Sequence, residues 1–112
     1  MARGVADIST AFTATFGSGK PHFSILAEYD GLDGMSQEGF VAEKRPIPSK
    51  NTCHGCGHNL FGAGSLGAAL AVKAYIEATR MGSVTLFGCP AEEGCAGKVF
   101  MHGMVYSPES IL

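Results

Sequence analysis

Several things are scarce in this chain, and each scarcity removes a class of function. No apolar run approaches the ~20 residues that a membrane-spanning helix needs, so no membrane partner is expected. Charged residues make up only 16% of the chain, with a net charge of −2. There is no Lys/Arg run to neutralise phosphates, which argues against nucleic acid as a partner. No apolar signal segment follows Met1, so a reducing cytoplasm is expected rather than export. Repeats, low-complexity tracts and interdomain linkers are missing as well. At 112 residues the chain is one domain or a piece of one.

What is present is apolar and rich in glycine. A hydrophobic fraction of 46% is ample for a packed core. The glycines gather at 17–19, 31–39, 55–67 and 82–103, where the backbone must turn or come close to something. Four cysteines, Cys53, Cys56, Cys89 and Cys95, fall in these same Gly-rich stretches. In a reducing compartment they read as ligands, core thiols or nucleophiles before they read as disulfides.

The hydrophobic pattern predicts an α/β order. Residues 7–16 alternate, with Ile8, Thr10, Phe12, Ala14 and Phe16 on the drier face, and read as a strand. Gly17–Pro21 is a turn. Phe23–Ala27 reads as a more deeply buried strand that ends at Glu28-Tyr29-Asp30. Residues 31–58 show no sustained period, and a loop of that length is usually functional or mobile. From Asn59, a plausible N-cap, to Arg80 the spacing becomes helical, with Leu66, Ala69, Leu70 and Ile76 set against Lys73, Glu77 and Arg80. Gly82 stops this helix, 83–88 is another strand, and a second helix covers roughly 95–104. Strand–helix–strand–helix implies a parallel pair joined by a right-handed crossover. Ligands of such sheets collect beyond the carboxyl ends of the strands. Asp30, Cys56, His58, Glu92 and Glu93 all fall at that end.

These residue types suit a divalent metal, since thiolate, imidazole and carboxylate can each donate an electron pair. An isolated Cys56 or His58 would be read as a buried thiol or a capping imidazole. As i and i+2 in a loop flanked by Gly55 and Gly57, with carboxylates arriving at the same sheet edge, they read as ligands. Glu92-Glu93 has a bland alternative, a solvated pair favoured by a helix dipole. It follows an apolar strand and Cys89-Pro90, however, so one carboxylate could bind metal while its neighbour handles a proton. Sequence alone leaves that choice open.

Other patterns carry less. A structural zinc site on Cys53, Cys56, Cys89 and Cys95 has an over-long second spacing and buried elements in between. Cys53 and Cys56 as a redox pair lack a helix beginning at the first cysteine. Gly62-Ala63-Gly64-Ser65-Leu66-Gly67 matches the dinucleotide fingerprint but has no strand before it, so its glycines are expected to permit close packing instead. His22 and His102 read as core or surface residues. His54 lies near enough to Cys56 to support the site indirectly.

Four phrases in this order carry a family likeness: Ile25-Leu26-Ala27-Glu28-Tyr29-Asp30-Gly31-Leu32, Gly34-Met35-Ser36-Gln37, His54-Gly55-Cys56-Gly57-His58-Asn59 and Gly88-Cys89-Pro90-Ala91-Glu92-Glu93-Gly94. From about Val5 onward the chain resembles the aminoacylase/carboxypeptidase-like metallo-amidohydrolases. The resemblance implies a fold that is part of a three-layer, zinc-peptidase-like α/β catalytic domain, with a mixed sheet flanked by helices. It implies two divalent ions, Zn²⁺ or Mn²⁺, with Cys56, His58 and Glu93 as metal ligands. Glu92 corresponds to the general base and Asp30 to the carboxylate that orients the site. The substrates implied are small N-acyl amino acids such as p-aminobenzoyl-glutamate, cleaved at the amide bond. Full-length relatives are expected to be oligomeric, with a related A subunit as a further partner.

Two departures qualify the likeness. Asn59 stands where relatives usually have Asp or His. The relatives also continue past Leu112 into another metal-binding histidine and a lid/dimerisation domain, so residues 1–112 are expected to be a partial catalytic domain. The rival readings are a non-catalytic metal-binding or interaction module on the same fold, and the four-cysteine zinc domain.

Overall fold

A computed structural model describes residues 1–105 of the chain. The expected helix over 95–104 falls within that range, and residues 106–112 lie outside it. Among the described residues the main sheet has four strands: β1 (Ala2–Arg3), β2 (Phe12–Gly17), β3 (His22–Glu28) and β6 (Ser83–Cys89), in the order β1-β2-β6-β3. β2 runs antiparallel to both β1 and β6, whereas β3 runs parallel to β6. The sheet is therefore mixed, as expected. The parallel pair is joined through α1 (His58–Thr79).

β6 is buried along its whole length, because it has a strand on each side and helices on both faces. Its alternation sorts the core into two layers. Leu86 packs with Ala27 of β3 and Ala69 of α1. Phe87 and Cys89 point the other way, to Ala11 and to Met101 of α3 (Gly97–Val105), with Val5, Ala6 and Ile8 closing the edge. Between β6 and α3 lies a four-residue helical turn, α2 (Glu92–Cys95).

Several boundaries differ from the sequence reading, each for a physical reason. The strand expected over 7–16 starts only at Phe12. Val5–Asp7 forms a tight turn with Ala6 and Asp7 in the left-handed region, and Ala11 is fully buried beneath α3. Phe23–Ala27 reads in the sequence as more deeply buried than the strand before it. β3 lies at the edge of the described sheet, leaving Phe23 43% and Leu26 38% exposed. Asn59 is the second residue of α1 and not its cap; that place belongs to Gly57 at φ 82°, a left-handed backbone that glycine adopts without Cβ strain. α1 ends at Thr79 with Arg80 in the left-handed conformation, before Gly82 is reached.

The buried face of α1 is His58, Ser65, Ala69 and Ile76. Leu66 and Leu70, expected on the apolar side, are about half exposed. Leu66 lines an apolar hollow of about 360 Å³ with Phe12, Tyr29 and Leu86. The inner face is made of small residues because the helix lies close to β3. Ser65 Oγ donates to the Leu26 carbonyl at 2.9 Å. A Cβ on Gly62 would sit 2.9 Å from the Glu28 carbonyl oxygen, while one on Gly64 would meet nothing within 4 Å. The close packing expected of the Gly62–Gly67 glycines is therefore found at Gly62 alone, since Gly67, like Gly64, would meet nothing within 4 Å. Gly62→Ala is predicted to lower the thermal midpoint, because overpacking costs about 1–3 kcal/mol against the ~1 kcal/mol of helix propensity gained. Gly64→Ala is predicted to raise it by that propensity alone. Paired melting curves read the difference.

The long loop 31–58 is more ordered than its composition suggests. β4 (Leu32–Asp33) pairs antiparallel with β5 (Thr52–Cys53). Within the loop, Ser36 Oγ accepts from the Ile47 N–H at 3.0 Å and donates to its carbonyl at 3.1 Å. Gln37 donates to the Glu43 carbonyl at 2.8 Å and accepts from the Arg45 N–H at 3.0 Å. These side chains stand in for strand ladders and return the chain to the sheet edge at Cys53.

Candidate metal centre

The carboxyl ends of β3 and β6 and the start of α1 meet at one point, and His58 is at its centre. As the first residue of α1, directed inward, its side chain is only 7% exposed. Its Nδ1 lies 2.8 Å from Asp30 Oδ1. An ionised carboxylate can only accept, so Nδ1 carries the proton. The other Asp30 oxygen accepts from the Glu93 backbone N–H at 2.9 Å. Asp30 thus ties the end of β3 both to α1 and to the turn after β6. His54, expected only near the site, has Nδ1 3.2 Å from the Asp30 carbonyl oxygen.

Around this axis stand the remaining candidates. Glu93 Oε1 is 3.7 Å from His58 Nδ1, and Glu92 Oε2 is 3.9 Å from Nε2. Glu93 is largely buried, and its Oε1 has no hydrogen-bond partner among the described residues. Glu92 is 40% exposed at the rim. Adjacent in the short α2 turn, the two carboxylates diverge because consecutive residues of a helix point about 100° apart. Potential ligand atoms of Cys56, His58 and Glu93 all lie within 4.8 Å of one another, and so do those of Glu28, His58 and Glu92. All five residues singled out from sequence therefore meet here: Asp30, Cys56, His58, Glu92 and Glu93.

Sequence reasoning missed Glu28 and Lys98. Glu28 Oε2 is 3.1 Å from His58 Nε2, and Glu28 Oε1 accepts from the Lys98 ammonium of α3. The available signal was a carboxylate on the last residue of an otherwise apolar strand.

The electrostatics mark a place for positive charge. Burial by itself would push the Asp30 carboxyl up, but the Glu93 N–H and the His58 ring outweigh it and hold it below the usual carboxylate range. The hydrogen bond to Asp30 raises the His58 imidazole above its ordinary value, with burial opposing and the charges of Asp30, Glu93 and Glu28 adding. Hydrogen bonding to Glu93, and the charge of that carboxylate, push the Cys56 thiol up. Without a cation the thiol is therefore not an activated nucleophile. A divalent ion fits this donor set: soft sulfur, imidazole nitrogen, and a buried carboxylate oxygen that otherwise lacks a partner.

The four-cysteine alternative does not fit. All four thiols are free, and Cys89 is buried in the core against Phe87 and Met101. Among the described residues, no group of three or more potential ligands holds two cysteines. No helix among them is long and apolar enough to cross a membrane.

The fold and the cluster define an α/β domain with a metal-type donor set at the carboxyl edge of a mixed sheet. Comparison with known proteins makes the likeness specific. The chain is 45% identical over 102 residues to the B subunit of p-aminobenzoyl-glutamate hydrolase from Escherichia coli (strain K12), a match that covers 90% of this chain. The resemblance expected from the four phrases is thereby borne out. The chain spans 21% of the length of that curated relative. No protein-family profile matches the chain, and no solved structure matches it.

Proposed function

We propose that the chain is part of the catalytic α/β domain of a metal-dependent amidohydrolase, in a three-layer, zinc-peptidase-like arrangement, that cleaves the amide bond of small N-acyl amino acids. The observation that carries this reading is a buried imidazole encircled by Asp30, Glu28, Glu92, Glu93 and Cys56 at the carboxyl edge of the sheet. The relative's name supports hydrolase chemistry and, within it, p-aminobenzoyl-glutamate as the substrate. The relative is named as one subunit of its enzyme, which supports assembly with a second, related subunit. Free thiols at Cys53 and Cys56 suit a reducing, cytoplasmic setting.

Cys56, His58 and Glu93 would hold the metal, with a second ion beside them. Bound Zn²⁺ or Mn²⁺ would lower the pKa of a water molecule and polarise the amide carbonyl. Asp30 fixes the His58 ring and its tautomer through Nδ1. Glu92, the more exposed of the pair, takes a proton from the attacking water and delivers it to the leaving amine.

The test is release of p-aminobenzoate from p-aminobenzoyl-glutamate by the longest protein its gene encodes, assayed with added Mn²⁺ or Zn²⁺ and with a chelator. Hydrolysis that depends on the added metal is the expected result. Metal binding without any amide hydrolysis would favour the non-catalytic module instead.

A further inference from the structure

The Nε2 edge of His58 poses a problem that the ligand set above does not solve. Nδ1 is committed as a donor to Asp30, whose second oxygen is held by the Glu93 N–H. In a neutral ring, Nε2 then presents a lone pair. That lone pair faces Glu28 Oε2, also electron-rich, at 3.1 Å. Two acceptors do not rest at that distance with nothing positive between them. A divalent ion bound between the two would supply that positive charge.

Distances distinguish Glu28 from Glu92. Two ligands about 2.0–2.1 Å from one tetrahedral ion sit roughly 3.4 Å apart. The Glu28 oxygen, at 3.1 Å from Nε2, is closer to that separation than the Glu92 oxygen at 3.9 Å. Glu28 is also held as metal-binding carboxylates commonly are, with its second oxygen hydrogen-bonded elsewhere. Lys98 of α3 takes Oε1 and leaves Oε2 turned to the imidazole. The chain reversal at Gly97, whose Cβ position would clash with the Pro90 carbonyl, brings Lys98 back to the strand ends.

We propose that Glu28 is a metal ligand, sharing an ion with Nε2 of His58, and that Lys98 is the positioning residue that aims it. This rests on the metal-centre reading proposed above and adds an oxygen donor to it, which suits a hard ion such as Mn²⁺.

The probe is Mn²⁺ itself, titrated into the protein and followed by the electron paramagnetic resonance of the free ion, with circular dichroism melts on every variant. Glu28→Gln is expected to weaken Mn²⁺ binding by roughly tenfold or more. Glu28→Asp keeps the charge but withdraws the oxygens by one methylene; a comparable loss there marks ligation rather than general electrostatics. Lys98→Met is expected to weaken binding by a smaller factor, with Lys98→Arg restoring it. Wild-type affinity in Glu28→Asp would overturn ligation by Glu28, and wild-type affinity in Lys98→Met would overturn its aiming role. If the Glu28 variants fail to fold, the Lys98 pair decides: weaker binding in Lys98→Met with rescue by Lys98→Arg supports the proposal, and unchanged binding overturns it. His58→Ala separates the two levels. Undiminished Mn²⁺ binding in His58→Ala removes the metal-centre reading altogether, whereas its loss there alongside wild-type binding in both Glu28 variants removes only Glu28.

Discussion

Glu92→Gln is expected to leave metal content intact while amide hydrolysis falls by about 10²–10⁴-fold, the usual worth of a positioned general base. Glutamine keeps the shape and hydrogen bonding of glutamate but cannot take a proton at neutral pH. The proposed role suits its position, 40% exposed at the rim and 3.9 Å from His58 Nε2. Glu93→Gln should behave differently. Its side chain is buried and its Oε1 lacks a partner, so a neutral amide there removes an anionic donor, and metal affinity should fall together with turnover. Paired metal analysis and rate measurements on the two variants decide the matter. If Glu92→Gln strips the metal and Glu93→Gln retains it, the two roles must be exchanged.

Cys56→Ser and His58→Ala are each expected to empty the centre, whereas Cys53→Ser should not. Thiolate is a far better donor than a hydroxyl to a borderline-soft ion. Cys53 sits in β5 on the short ladder with β4, outside both groups of converging ligands. His58→Ala should have the larger effect, since its ring belongs to both groups. Metal stoichiometry measured by mass spectrometry after gel filtration is the readout. Full metal content in both variants would show that the Cys-Gly-His phrase does not hold the ion.

What the sequence revealed depended on whether the information was local. The strand 83–88, the helix over 59–80 and the parallel pairing through it could be read from period and length, and each stands within a residue or two in the structure. The convergence of Asp30, Cys56, His58, Glu92 and Glu93 followed from the same reasoning, because parallel topology fixes which loops share an edge. Burial was less legible. Phe23 and Leu26 look like core residues until β3 proves to be the edge of the described sheet, and only tertiary packing decides that. Nor could any periodicity show that α1 would turn its small residues inward and leave Leu66 half exposed; that depends on how near Gly62 lets the helix approach the Glu28 carbonyl. Glu28 and Lys98 escaped notice for a related reason: 70 residues separate them, and neither belongs to a recognisable phrase on its own.

The position of β6 has a bearing on how the protein comes into being. It is the last of the four strands to leave the ribosome, yet it lies between β2 and β3. Before residue 83 emerges, β3 has no strand partner in the described sheet, and β2 has only the two-residue β1. The turn at 18–21 cannot rescue the pair as a hairpin, because the finished sheet holds those strands one position apart. A growing chain therefore carries β3 unpaired while residues 29–82 are added, several seconds at roughly 5–20 residues per second. Completion of the sheet then coincides with arrival of Glu92 and Glu93, which follow β6 directly. The carboxylates that crowd His58 thus reach it only once the scaffold able to hold them apart has closed.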